Sequence, residues 1–230
     1  MKLLLHKEIE RLKNEMLALS AVVEELLRKA MSALQGHDAE RAREVIAADE
    51  RVDQLEVELE EAALKIIALH QPVADDLRLI VSVLRINSDL ERIGDLAVNI
   101  AERATFLSSH PAPGMPIDFA PMAEKAQEML TRCLDAFVNL DTTLARRIIE
   151  MDNEVDAMNR QMYCSVYDLI RRNPDHIESL LHLLSASRHL ERIADHATNI
   201  AEDVIYMVEG RVVRHKPEEY TAIKGCGGEA

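Results

Sequence analysis

Residues 89–104 read DLERIGDLAVNIAERA, and residues 189–204 read HLERIADHATNIAEDV. Ten of the sixteen positions are identical, at a constant offset of 100. A second pair lies upstream. DAERAREVIAADERVD at 38–53 and DTTLARRIIEMDNEVD at 141–156 share seven of sixteen positions, at an offset of 103. The offset changes around Pro72 and Pro174, which therefore mark equivalent loops of slightly different length. Self-similarity over such a span means that one structural unit is written twice.

Each unit divides into three helices. The first half offers residues 5–35, 38–69 and 73–108; the second offers 117–139, 141–172 and 174–209. Gly36-His37 reads as a C-cap signal and Asp38 as the N-cap that follows it, with Asp141 repeating the cap. Pro72 and Pro174 break the second helix of each unit from the third. Short connections between long helices make antiparallel neighbours. The expected fold is all-α: two pseudo-symmetric three-helix bundles, six long antiparallel helices in all. The expected domains are 1–110 and 115–214, separated by the Pro-rich stretch SSHPAPGMP at 108–116. Residues 215–230 lose the helical period and are expected to form a loose tail holding Cys226.

Composition agrees. Hydrophobic residues make up 48% of the 230-residue chain, but aromatics only 3%, with no Trp. Aliphatic cores of this kind suit helix bundles. Seven Gly and seven Pro are about half the usual share, too few for the turns of a sandwich or barrel. The formal charge of −14 argues against binding nucleic acid through its phosphates, or a broad attraction to anionic lipid. It suits basic protein partners or captured metal cations. Cys133, Cys164 and Cys226 are far apart and offer no zinc-type or redox pair, so unpaired thiols in a reducing compartment are expected. Leu3-Leu4-Leu5 is too short for a signal core, and no apolar run approaches 18 residues. The cytoplasm is the expected location.

The repeat also duplicates four acidic pairs, each acid-x-x-x-acid: Asp49 with Asp53, Glu91 with Asp95, Asp152 with Asp156, and Glu191 with Asp195. Positions i and i+4 are neighbours on one helix face. Asn99 and Asn199 extend the line by another four residues, and Glu102 and Glu202 lie close to it. At about 100° per residue, Leu90, Ile93, Ala97, Ile100, Ala101 and Ala104 occupy one arc, while Glu91, Asp95, Asn99 and Glu102 occupy another. The acids therefore flank a normal apolar seam.

A solvated acidic face usually interleaves Lys or Arg at i±3 or i±4. Asp49, Asp53 and Glu91 have no cation there; Asp95, Asp156, Glu191 and Asp195 have Arg92, Arg160, Arg188 and Arg192. Two like charges some 6 Å apart repel by roughly 3 kcal/mol at an effective dielectric of about 20, and less where water screens them. Bundle packing that gathers several such pairs would favour a bound cation, and carboxylates suit Mg²⁺, Ca²⁺, Mn²⁺ or iron. The competing reading is an acidic face balanced by solvent ions or by arginines from other helices.

Other chemistry is less well supported. His182, His189 and His196 share one side of the last helix but point away from Glu191 and Asp195, and read as packing or polar-edge residues. No Glu-x-x-His pair of the ferritin-like di-iron kind occurs, nor a Gly-rich phosphate loop or a nucleophile elbow. The expectation is that the chain is not an enzyme.

Leu90-Glu91-Arg92-Ile93-Gly94-Asp95 and Leu190-Glu191-Arg192-Ile193-Ala194-Asp195, each followed by Asn-Ile-Ala-Glu, together with QPVADDLR at 71–78, resemble the PhoU family. The resemblance runs from about Leu5 to Val208. It implies two three-helix bundles with metal clusters on the acidic surfaces. By motif, the implied ligands are Asp49, Asp53, Glu91, Asp95, Asp152, Asp156, Glu191 and Asp195, with Asn99 and Asn199 next; iron, zinc, manganese and magnesium are all credible ions. It further implies a negative regulator of phosphate transport and homeostasis that represses the phosphate-starvation response. Its implied partners are the ATPase subunit of the phosphate ABC transporter and the sensor histidine kinase, with membrane contact only through them. A homodimer is plausible because long amphipathic helices leave extra faces to bury. The rivals are a metal-storage protein or metal-dependent enzyme using the acidic clusters, and a purely structural helical adaptor.

Overall fold

The computed structural model describes residues 2–110 and 117–213. Six long helices follow one another: α1 (Lys2–Gly36), α2 (Ala39–His70), α3 (Ala74–Ser109), α4 (Ala120–Asn139), α5 (Thr142–Arg172) and α6 (Ile177–Glu209). A one-turn 3-10 helix, Pro174–His176, precedes α6, so the last helix starts slightly later than its sequence pattern suggested. There is no strand among the described residues. Residues 111–116 of the expected linker, and the expected tail at 215–230 with Cys226, lie outside the described residues.

The helix ends follow from their caps. Asp38 accepts hydrogen bonds from the backbone N–H groups of Glu40 and Arg41, and Asp141 does the same for Thr143 and Leu144. Before each cap, one residue turns left-handed: His37 at φ 49° and Leu140 at φ 54°. The amides of Asp38 and Asp141 then reach back to the carbonyls of Ala33 and Ala136, at 3.0 and 2.9 Å. Gly36 therefore does not supply the left-handed residue that its position suggested. It stays in the helix and the strain falls on His37, held there by the closing hydrogen bond and the aspartate cap.

Helices α1, α2 and α3 pack on one another, as do α4, α5 and α6; α3 also packs on α6, and α1 on α4. The central helices repeat their core position for position. Ile80, Val83, Ile86, Leu90, Ile93, Ala97, Ile100, Ala104 and Leu107 are buried in α3. Leu180, Leu183, Ala186, Leu190, Ile193, Ala197, Ile200, Val204 and Met207 are buried at the matching places in α6. Helix α3, 36 residues long, extends on the order of 54 Å, so it can present one face to α6 and another to α1 and α2 along the same length. The two bundles share one continuous apolar core.

The α3/α6 seam also holds polar partners that are far apart in sequence. Asp203, 1% exposed, pairs with Arg85 at 3.2 Å, and the Arg85 guanidinium lies 5.2 Å from the centre of the Tyr206 ring. His196 Nδ1 lies 2.8 Å from Asp89 Oδ1. His182 stacks on Phe106 with ring centres 3.7 Å apart. His189 meets Ser185 Oγ at 3.2 Å, and burial, followed by the positive charge of Arg103, pushes its pKa down to about 4. The three histidines thus sit in the seam, as packing and polar-edge residues. Cys133 is a buried free thiol whose pKa burial drives upward.

Candidate metal-binding face

In the first bundle the acidic pairs face each other across the α2/α3 groove. Val45, Val52 and Leu59 of α2 are buried against the core, which leaves Asp49, Asp53 and Glu56 along the flank of the same helix. On α3, Leu90, Ile93 and Gly94 are buried, and Glu91 and Asp95 stand beside them, half-buried. At Gly94 the two helices approach closely. A Cβ added there would lie 3.2 Å from Val52 Cγ1 and 3.8 Å from Asp49 Oδ1. Asp49 is thereby held against α3 with its Oδ1 buried and without a hydrogen bond.

The electrostatics show how these carboxylates crowd one another. Burial raises the pKa of Asp49, and the charges of Asp53 and Asp95 raise it further. Glu91 is raised by burial and then by Asp95, with Arg92 opposing and Glu56 and Asp53 adding to the rise. Glu56 is raised by burial, Glu60 and Asp53. The available cation is Arg92, which lies 3.4 Å from Glu91 Oε2 and 3.6 Å from Asp95 Oδ2 while remaining 58% exposed.

The second bundle repeats the arrangement between α5 and α6. Glu191 is raised by burial, then by Asp195 and Asp156, against the opposing charges of Arg188 and Arg192. Arg160 Nη1 lies 3.6 Å from Asp156 Oδ2. Asp152 occupies the place of Asp49, half-buried on the flank of α5 beside buried Met151 and Val155.

The two asparagines behave differently from the acids. Asn99 donates Nδ2 to the carbonyl of Asp95 in its own helix at 2.8 Å. Asn199 donates to Asp89 Oδ1 at 3.4 Å, across the α3/α6 seam. Glu56, absent from the candidate set, joins the first cluster. Its signal was present in the sequence as a like charge three residues after Asp53, where a cation would normally stand.

The donor chemistry fits a hard cation: facing carboxylates, few counter-charges, and an orphaned buried oxygen on Asp49. The side chains do not form a ready ligand set, since among the described residues no three of His, Cys, Asp or Glu gather closely enough to hold an ion. Two clefts, of about 320 Å³ by Glu24, Arg28 and Thr131 and about 270 Å³ by Met122, Met158 and Met162, lie away from the acidic pairs.

The model of the PhoU domain matches twice, over residues 16–104 and 119–204. The chain belongs to the PhoU family. A phosphate-specific transport system accessory protein PhoU homolog of Aquifex aeolicus is 42% identical over 92% of this chain and 96% of its own. The homolog so named from Pseudomonas aeruginosa is 36% identical over 90% of this chain and 86% of its own. Among solved structures, PhoU from Pseudomonas aeruginosa superimposes with a TM-score of 0.87 at 35% identity, over 90% of this chain and 99% of that one. The phosphate transport system regulatory protein PhoU from Streptococcus pneumoniae does so at 0.80 and 28% identity, over 91% and 99%. These PhoU structures share the fold described above. No described helix is long and apolar enough to cross a membrane.

Proposed function

We propose that this chain is a non-enzymatic cytoplasmic regulator of phosphate uptake that holds the phosphate-starvation response off when phosphate is plentiful. The observation that carries the reading is the length of the match: relatives named as accessory proteins of the phosphate-specific transport system align over some nine-tenths of the chain. The chain does so by docking on the ATPase subunit of the phosphate ABC transporter and on the sensor histidine kinase, and it meets the membrane only through them. It works as a homodimer. An exposed, strongly acidic surface suits partners with basic faces.

Metal belongs to the same proposal. Asp49, Asp53, Glu91 and Asp95 would hold hard cations on the first bundle, and Asp152, Asp156, Glu191 and Asp195 on the second. Bound ions would relieve the mutual repulsion of the facing carboxylates and fix the groove beside a docking surface. Iron, zinc, manganese and magnesium remain the candidate ions, with the carboxylate donors favouring the harder ones.

The deciding experiment is deletion of the gene in its host, with a phosphate-starvation reporter measured in phosphate-rich medium. Derepression is the expected result, and unchanged repression would remove the reading. Co-purification with the transporter ATPase and with the kinase tests the two partners separately.

A further inference from the structure

We propose that the groove between α4 and α5 docks an amphipathic helix of another protein, laid where the first bundle carries its own residues 2–16. The inference rests on the adaptor reading of the proposed function and names the chemistry of the segment that docks.

The two bundles differ in one large piece. Their first helices end in register, since the amides of Asp38 and Asp141 close on the carbonyls of Ala33 and Ala136. From that end α1 runs back for 35 residues and α4 for only 20. Ala120, the first residue of α4, matches Leu17, so residues 2–16 have no counterpart among the described helices. The missing piece would be about 22 Å long. In the first bundle it serves as a cover. Ile9, Leu12 and Met16 recur at helical spacing and are 4%, 1% and 0% exposed. Since α1 packs on α2 and α3, and neighbours run antiparallel, they lie over the C-terminal half of α2 and the N-terminal half of α3.

The second bundle keeps the surface and lacks the cover. Met158, Met162, Ser165 and Leu169 lie at i, i+4, i+7 and i+11, on one side of α5. Leu59 and Val83 are 1% and 0% exposed, but their counterparts Met162 and Leu183 are 8% and 9%. Ile66 is buried, while its counterpart Leu169 is only partly so. Where α4 begins, a cleft of about 270 Å³ opens between Ile117, Pro121 and Met122 on one side and Met158, Gln161 and Met162 on the other. Its three methionines stand where the first bundle has Leu19, Leu55 and Leu59. Unbranched thioether chains re-pack around a ligand more readily than leucine does.

What fits the groove is read from the first bundle. Ile9, Leu12 and Met16 place aliphatic side chains at i, i+3 and i+7 on the equivalent surface, the pattern by which helices are recognised in grooves. A second copy of this chain is a poor occupant, because its own three residues are already buried on its first bundle. Exposed Asp118 lines the cleft and the chain carries a formal charge of −14, so basic flanks on the docked helix are favoured.

The probe is a fluorescein-labelled peptide copying residues 2–17, titrated with the full chain and followed by fluorescence anisotropy. The wild type should bind it saturably. Met158→Ser, at a partly buried position of the groove, should weaken binding at least about tenfold while the helical circular dichroism is retained. Leu55→Ser, the matching change on the first bundle, should leave the affinity as it was. A peptide carrying Ile9→Glu and Leu12→Glu should not bind. No binding by the wild type overturns the proposal, as does equal binding of the acidic peptide. Binding that Leu55→Ser alters and Met158→Ser does not would mean that the peptide exchanges with α1, and overturns it too. Should Met158→Ser unfold the chain, Gln161→Trp, which fills the cleft from an exposed position, decides in its place, and unchanged binding is then fatal. The reporter experiment judges the regulatory function separately, since derepression on deletion does not depend on where a partner docks.

Discussion

The two bundles agree where they are buried and differ where they are charged. Nine core positions of α3 recur in α6 as apolar residues at the same register, whereas Glu56, Val57 and Ser88 have become Asn159, Arg160 and Arg188. Packing at interior density tolerates few changes of volume, so a duplicated core stays recognisable. Flanking positions carry no such restraint, and charge there can drift or be put to separate uses. Removing one core residue from either half should therefore be equally damaging. Ile93→Ala and Ile193→Ala each empty a site that is fully buried. Each is expected to cost about 2–5 kcal/mol, the two values agreeing within about 1 kcal/mol, as measured by denaturant unfolding. A large inequality would mean that one bundle, rather than the pair, sets the stability.

The polar seam between the bundles breaks the symmetry more openly. Arg85 pairs with the buried Asp203, but the matching positions hold Ser185 and Arg103. Truncating Arg85 withdraws a cation from a buried carboxylate. Because Arg85 is 40% exposed, the expected loss for Arg85→Ala is about 2 kcal/mol, below the range for fully buried pairs. Ser185→Ala removes only a hydrogen bond to His189 and should cost about 0.5–1 kcal/mol. Equal losses would show that the seam is held by packing alone.

The sequence made the repeated elements legible, and the seam illegible, for one reason. Periodicity reports what lies within a turn or two along one helix. The six helices, the Asp38 and Asp141 caps and the placement of acids beside an apolar stripe are all of that kind, and each appears in the structure close to where the pattern put it. Arg85 with Asp203 and His196 with Asp89 are separated by 118 and 107 residues, and nothing in the local spacing pairs them. Asn199 shows the same limit: its helical position placed it in line with Glu191 and Asp195, while packing on α3 turned its amide to Asp89. Glu56 was overlooked for the opposite reason, since it has no counterpart in the second half and the repeat did not draw attention to it.

Crowding of the first acidic groove has a signature in pH. Asp49, Glu56 and Glu91 all have folded-state pKa values above those of the unfolded chain. Between the unfolded and folded values the native state binds more protons, so these groups lower stability at neutral pH and the loss is relieved as pH falls through their folded pKa values. Metal-free protein is therefore expected to gain stability on mild acidification before other carboxylates reverse the trend. Asp49→Asn should stabilise it at pH 7, by no more than about 1 kcal/mol once solvent screening of a half-exposed groove is allowed for. The gain should vanish in the presence of saturating Mn²⁺. Thermal melts from pH 7 down into the ordinary carboxylate range check all three statements, and a melting temperature that only falls on acidification would contradict them.

The smallest test concerns turns. His37 and Leu140 hold φ of 49° and 54°; His37 is exposed and Leu140 is 48% exposed, so glycine there would lose little packing. A left-handed L-residue is strained by about 1–2 kcal/mol, and the added freedom of an unfolded glycine returns about 0.5–1 kcal/mol of that. His37→Gly and Leu140→Gly should each stabilise by about 0.5 kcal/mol, in both bundles alike. The prolyl loops should part company. Gln71, just before Pro72, is left-handed at φ 46°, but Asn173, just before Pro174, has a negative φ of −135° and leads into the 3-10 turn. Gln71→Gly should therefore gain stability and Asn173→Gly should lose it, each by about 0.5 kcal/mol. Opposite signs from two equivalent glycines would locate the change in repeat offset at these loops, where α5 is one residue shorter than α2 and a 3-10 turn stands in place of the first turn of α3.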